Sequence, residues 1–310
     1  MLPGLRQLPP ALAEALDDSA VSEIMLNGPG VAFVERRGVL ERLELELDAR
    51  DLRRIVEQTL SPLGLSLDRL HPIVDARLAD GSRFHAVAEP LAIPGPVVTV
   101  RRFRPRRVEL HEFGMDSRRI AQVGLLVRDR ANVLITGPTN SGKTTLLDAI
   151  VREFPASERV VVIEDTLELR CDRDHVVRLE ARPANGEGVG GVTMRDLVRA
   201  ALRMRPDRLV IGEVRSGEAF DLLQALNTGH RGCVATVHAN SPADALVRLE
   251  TLALLAGVGV DAAVVRRQIA AGLDAIVHAH RRADGNRLVT EIAKVVAEPM
   301  LGVESLRRVS

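Results

Sequence analysis

Gly137-Pro138-Thr139-Asn140-Ser141-Gly142-Lys143-Thr144 has the residue types and spacing of a phosphate cradle, G-x-x-x-x-G-K-[ST]. The lysine sharpens the match. Of 42 Lys and Arg residues only Lys143 and Lys294 are lysine. Arg has taken nearly every position where charge alone is needed. A phosphate cradle needs a compact ammonium on a flexible stem, which a planar guanidinium replaces poorly. Backbone N–H groups of such a loop and of the helix after it receive the phosphates. Lys143 would bridge the β- and γ-phosphates and Thr144 would ligate Mg²⁺. The nucleotide-contacting set is then Gly137, Pro138, Thr139, Asn140, Ser141, Gly142, Lys143, Thr144 and Thr145.

Hydrolysis also needs a carboxylate that can orient water. Glu164 and Asp165 end the apolar run Val160–Ile163, with Glu168 close behind, and Glu213 follows Leu209-Val210-Ile211-Gly212. A charged residue after an apolar strand is often only the first solvated residue. Two such residues at the expected edge of one sheet favour chemistry, because open parallel sheets gather ligands at strand C-termini. His230 and His238 flank the run Cys233–Val237 and could meet phosphate or serve the structure alone; eight residues apart, they cannot share a metal. Arg101-Arg102-Phe103-Arg104 either stabilises γ-phosphate charge across a cleft or is a solvated linker.

The elements that must position these groups fall into two sets. In the first hundred residues a short helix (5–18) precedes a strand and turn (23–30). A hairpin turning at Arg37-Gly38, a helix (50–64) and antiparallel strands (73–103) follow, a small α+β domain. We place this domain at 1–103, a linker at 104–118 and a second domain at 119–310. The second domain alternates strands near 133–136, 159–163, 209–212, 233–237 and 274–278 with helices 142–154, 194–204, 217–227, 241–256 and 261–272. That pattern predicts an α/β fold with a mostly parallel sheet covered on both faces. The Gly-rich stretch 183–192 is expected to be a loop.

Composition narrows the function. Net charge is zero and aromatics are six Phe with no Trp or Tyr, which disfavours nucleic-acid binding by field or by base stacking. Two cysteines, Cys171 and Cys233, build neither a disulfide framework nor a four-Cys zinc site, and read as reduced small hydrophobes in a cytoplasmic protein. No signal peptide or 18-residue apolar run is present, so membrane association is expected only through a partner. No [NT]-K-x-D or LSGGQ-like run appears, which favours ATP over GTP and disfavours an ABC-type ATPase.

In order along the chain, EIMLNGPG (23–30), VERRG (34–38), VDARLADGSR (74–83), TVRRF (99–103), GPTNSGKTTLL (137–147) and VVIEDTLEL (161–169) carry a resemblance. It continues through LVRAALRMRPDRLVIGEVRSGEAFDLLQALNTGH (197–230), ATVHANSPADALVRLE (235–250) and RRQIAAGLDAIVH (266–278). Over almost its full length the chain resembles the type II/IV secretion ATPase superfamily, nearest the Flp (Tad) pilus assembly ATPases of the TadA/CpaF type. Conjugative-transfer ATPases are near relatives. The resemblance implies a homo-hexamer, each subunit joining a small PAS-like N-terminal domain to a RecA-like P-loop ATPase domain. It implies ATP and Mg²⁺, and a cytoplasmic motor at the inner face of the membrane acting on an inner-membrane platform protein. It makes Glu213 the general base, and Glu164 and Asp165 organisers of Mg²⁺ and its water. His230 and His238 become γ-phosphate and domain-coupling contacts, and Arg101 and Arg102 arginine contacts to nucleotide. Gly212 stands where an ordinary Walker B motif has Asp, as is usual in this superfamily. His85 and Glu89 depart from its pattern of Asn and Pro. A long leader with a docking helix bundle, and a four-Cys zinc module, are expected to be absent.

Overall fold

The computed structural model describes residues 8–102, 107–182, 189–282, 284–297 and 301–305. Two compact units divide between Arg106 and Arg107.

The first unit opens with helix α1 (Pro10–Asp17) and strands β1 (Val21–Asn27), β2 (Ala32–Arg36) and β3 (Val39–Leu43). Helix α2 (Ala49–Leu60) and strands β4 (Ile73–Arg77), β5 (Arg83–Val87) and β6 (Val97–Arg101) follow. The six strands form one antiparallel sheet in the order β3-β2-β1-β6-β5-β4. Arg37 and Gly38 both take positive φ at the β2–β3 turn, which matches the right-handed twist of the strands it joins. Asp48 caps α2 by accepting from the Asp51 amide at 2.7 Å. The helix then buries Leu52, Ile55, Val56, Thr59 and Leu60, a stripe at helical spacing that packs with Ile24 and Phe84.

The second unit holds α3 (Ser117–Arg128), β7 (Val133–Gly137), α4 (Lys143–Arg152), β8 (Val160–Glu164), β9 (Val176–Glu180), α5 (Met194–Ala201) and β10 (Arg208–Ile211). It continues with α6 (Glu218–Asn227), β11 (Val234–His238), α7 (Pro242–Leu254), α8 (Ala262–Gly272), β12 (Ala275–Arg281), β13 (Arg287–Val296) and β14 (Gly302–Ser305). The sheet order is β14-β13-β12-β7-β11-β10-β8-β9. From β12 to β9 all pairings are parallel, whereas β13 and β14 add an antiparallel edge. One face packs Leu134, Ile163 and Ile276 against α5–α8; the other packs Ile135, Val162 and Val277 with Leu146 and Ile150 of α4. Strands buried on both faces explain the unbroken apolar runs.

Two expectations need correction. The stretch 107–116, assigned to the linker, belongs to the second unit: a 3-10 turn at Leu110–Phe113 and Met115 sit in its core. Charged and Pro residues around Leu110 and Phe113 hid that anchoring. The sheet also does not end at the strand near 274–278, because β13 and β14 extend it and β9 flanks β8. The loop expected at 183–192 lies largely outside the described residues; Arg182 and Val192 bridge at its base. Cys171 and Cys233 are free and buried, and burial pushes each thiol up to about 12.

Beneath the sheet, Arg208 is 1% exposed. Its Nε donates to Glu158 Oε2 at 2.5 Å, Nη2 donates to the Val127 carbonyl, and the guanidinium lies over Phe154. Burial pushes the Glu158 carboxyl up, but hydrogen bonds from Arg208 and Arg130 hold it below its ordinary value. Glu158→Ala leaves Arg208 as an uncompensated buried charge, so urea denaturation should show a loss of about 3 kcal/mol. A loss under 1 kcal/mol would show that Arg208 does not depend on this partner.

Candidate active site

The sheet brings the predicted groups together because its parallel strands end at one edge. β7 stops at Gly137 and α4 starts at Lys143, with Gly142 at φ 90° between them. No side chain caps α4, so its first N–H groups stay available to an anion. Lys143 is 7% exposed. Its Nζ donates to the carbonyls of Gly137 and Pro138 and to His238 Nδ1, each at 3.0 Å. Burial pulls this ammonium down to about 8, against the raising effect of Glu213. It therefore remains protonated at neutral pH.

His238 ends β11 beside Gly137 of β7. Accepting at Nδ1, its neutral ring carries the proton on Nε2. Nε2 lies 2.7 Å from Glu213 Oε1, an approach too poorly aligned to make a hydrogen bond. Burial also lowers the His238 pKa, opposed by Glu213, and the ring stands between the lysine and the carboxylate. The other Glu213 oxygen accepts from Arg215 Nη2 at 2.5 Å, and Arg215 Nη1 reaches Asp165 at 3.5 Å. Arg215 thus spans the acidic ends of β8 and β10. In sequence it is one arginine among 40.

Glu164 is 2% exposed. Its Oε1 accepts from the amides of Glu168 and Leu169 at 2.8 and 3.0 Å, while Oε2 is buried with no hydrogen-bond partner. Gly212 explains its position. A Cβ at residue 212 would lie 2.8 Å from Glu164 Cγ, so the Glu164 side chain fills the space that an ordinary Walker B side chain would need. The carboxylate is supplied from the neighbouring strand, and glycine makes room for it.

Burial pushes the Glu164 carboxyl up to about 7, against the lowering effect of its two amide donors. A carboxyl raised in the folded state favours folding when protonated. Ligand-free stability should therefore fall as pH rises from about 4.5 to about 7. Glu164→Gln should flatten that slope in thermal unfolding without nucleotide or Mg²⁺. An unchanged slope would mean that Glu164 ionises without cost.

Among the described residues no three His, Cys, Asp or Glu side chains gather to hold a metal. Mg²⁺ needs no such cage, because it keeps waters and takes phosphate oxygens plus one or two protein oxygens. The unpartnered Glu164 Oε2 and the Thr144 hydroxyl in the first turn of α4 fit that demand. Asp165 is exposed and turned to Arg215.

Within the second unit, not all the predicted residues converge. His230 precedes β11 and lies at the opposite edge of the sheet from Lys143, since strand β11 separates it from His238. Within one chain it cannot join the P-loop groups; its carbonyl accepts from Cys233 Sγ. In the first unit, Arg102 donates to the carbonyls of Ala15 and Asp18, whereas Arg101 ends β6 with an exposed side chain. His85 pairs with Asp75 at 2.8 Å, and Glu89 with Arg53 at 3.3 Å.

A P-loop, a buried lysine and carboxylates gathered at one edge of a mostly parallel sheet make the frame of a P-loop nucleotide-binding site. Residues 10–296 match the Type II/IV secretion system protein family, and the chain belongs to it. A Mycobacterium tuberculosis protein named for conjugal transfer is 38% identical over 293 residues, 91% of this chain and 83% of that protein. VirB11 of Rhizobium radiobacter is 32% identical over 280 residues, 81% of each chain. Among solved structures, the VirB11 ATPase of the Brucella suis type IV secretion system aligns at TM-score 0.51 and 27% identity, covering 92% of both chains. The Legionella pneumophila ATPase DotB shares the fold at TM-score 0.68 and 21% identity, covering 95% of this chain and 83% of that one. The chain is an ATPase of this family.

Proposed function

We propose that this ATPase is a homo-hexameric ring motor that powers Flp-type pilus assembly by driving an inner-membrane platform protein. The observation that carries the reading is the chain of contacts Lys143–His238–Glu213, with Arg215 beyond it. It ties the phosphate-binding lysine to the base, so arrival and departure of phosphate must rearrange groups at the ends of several strands. Such rearrangement is what a motor transmits. The two units, 1–106 and 107–310, would then move against each other. Arg101, the exposed member of its pair, would reach nucleotide, and His230 would serve contacts outside its own P-loop. Among the described residues no helix is long and apolar enough to cross a membrane, which fits a cytoplasmic motor held at the membrane by its partner. Zero net charge fits a protein rather than a nucleic-acid substrate.

The relatives named for conjugal transfer and VirB11 favour a second reading, a type IV secretion or conjugation ATPase. Complementing a chromosomal deletion with the wild-type chain or Glu213→Gln, and scoring surface pili against plasmid transfer, separates the two. Loss of pili with intact transfer supports the first; loss of transfer with intact pili supports the second. If Glu213→Gln restores full function while the purified variant hydrolyses no ATP, the chain acts as a nucleotide-binding scaffold and the motor reading fails.

A further inference from the structure

Both glycines of the P-loop are pressed by the β12–β13 hairpin. A Cβ on Gly137 would collide with the Ala279 carbonyl of β12. A Cβ on Gly142 would lie 2.5 Å from Arg287 Cδ and 3.1 Å from its Nε. The Arg287 stem therefore crosses the backbone at the start of α4, which only glycine permits. Its Nη1 donates to Thr145 Oγ1 at 3.2 Å. Arg287 begins β13 directly opposite Arg281 in the register of the pair, so the hairpin places two guanidiniums on one face.

We propose that Arg287 is a nucleotide-binding residue of this ATPase, gripping the diphosphate common to ATP and ADP. The proposal rests on the reading of the P-loop as the ATP site. The geometry favours the diphosphate over the γ-phosphate. Lys143 with His238 and Glu213 holds the side of the loop that faces β10 and β11. Arg287 arrives from β13, across β12 and β7, and contacts the helix at Gly142 and Thr145. With phosphate bound, the guanidinium turns to a charged oxygen and forms a charge-assisted bond there. The stem stays packed on Gly142, so the move is a rotation of the head group. Arg287 thus holds product as well as substrate, and its release accompanies ADP departure.

The test is titration of a fluorescent N-methylanthraniloyl-ADP into the purified full chain as wild type, Arg287→Met and Arg287→Lys. ATP binding is measured in parallel on a Glu213→Gln background. Met keeps the aliphatic stem on Gly142 and removes the charge. It should weaken ADP and ATP alike by about 10-fold or more. Lys should recover part of the loss, with nucleotide-free thermal unfolding unchanged in both variants. Wild-type ADP affinity in Arg287→Met overturns the proposal. So does weakened ATP binding with unchanged ADP binding, which moves the guanidinium to the γ-phosphate. A wild-type chain that binds no ADP would overturn the P-loop reading itself, an outcome distinct from failure of Arg287 alone.

Discussion

Glu213→Gln is expected to retain ATP binding and to lose hydrolysis by about 10²-fold or more. The reasoning starts from the two oxygens of Glu213. One faces His238 Nε2 and the other accepts from Arg215. Gln keeps the shape and can still accept one hydrogen bond, so the loop and nucleotide pocket should persist. It cannot accept a proton from water, and it removes the charge that holds Arg215. ATP should therefore bind and accumulate unhydrolysed. Equilibrium binding and single-turnover hydrolysis of radiolabelled ATP separate the two effects. Hydrolysis at the wild-type rate would remove Glu213 from the base position and return attention to Glu164.

Lys143→Ala is expected to abolish detectable nucleotide binding at micromolar concentrations without lowering the stability of the ligand-free protein. In the ligand-free state the ammonium is buried among two carbonyls and an imidazole nitrogen, and its pKa is lowered to about 8. A lysine depressed in this way is disfavoured by folding while protonated, and the penalty fades as pH rises from about 8 to 10.5. Removing it should leave unfolding at pH 7 unchanged or slightly harder. Lys143→Arg should not restore binding, since the guanidinium is too wide for the space between Gly137 and Pro138 carbonyls and His238. Isothermal titration with ADP and thermal unfolding at pH 7 check both halves. Retained ADP affinity in Lys143→Ala would contradict the assignment.

Much of this site could be read along the chain because β7, β8, β10 and β11 are short apolar runs that each end in a chemically distinct residue. Parallel pairing then places those ends together, and Lys143, Glu164, Glu213 and His238 follow. His230 stands apart from that group. A histidine at each end of one strand looks symmetrical in sequence, yet a strand puts its ends at opposite edges. Arg215 and Arg287 were hidden by composition, since in a chain with 40 arginines no single one stands out. The role of Gly212 was equally invisible, because it depends on Glu164 from the adjacent strand. β13 is hard to read because its burial follows no strict two-residue alternation and it comes after a polar turn. The burial of Leu110 and Phe113 was masked by charged and Pro neighbours.

The most direct test of the account is steady-state ATP hydrolysis per subunit, measured with Mg²⁺ across protein concentrations that span ring assembly, with mass determined by light scattering at each point. Turnover per subunit should rise with the assembled fraction, and Arg101→Ala should lower the plateau while leaving ATP binding by single chains intact. Full turnover by isolated chains, independent of concentration and of Arg101, would contradict it.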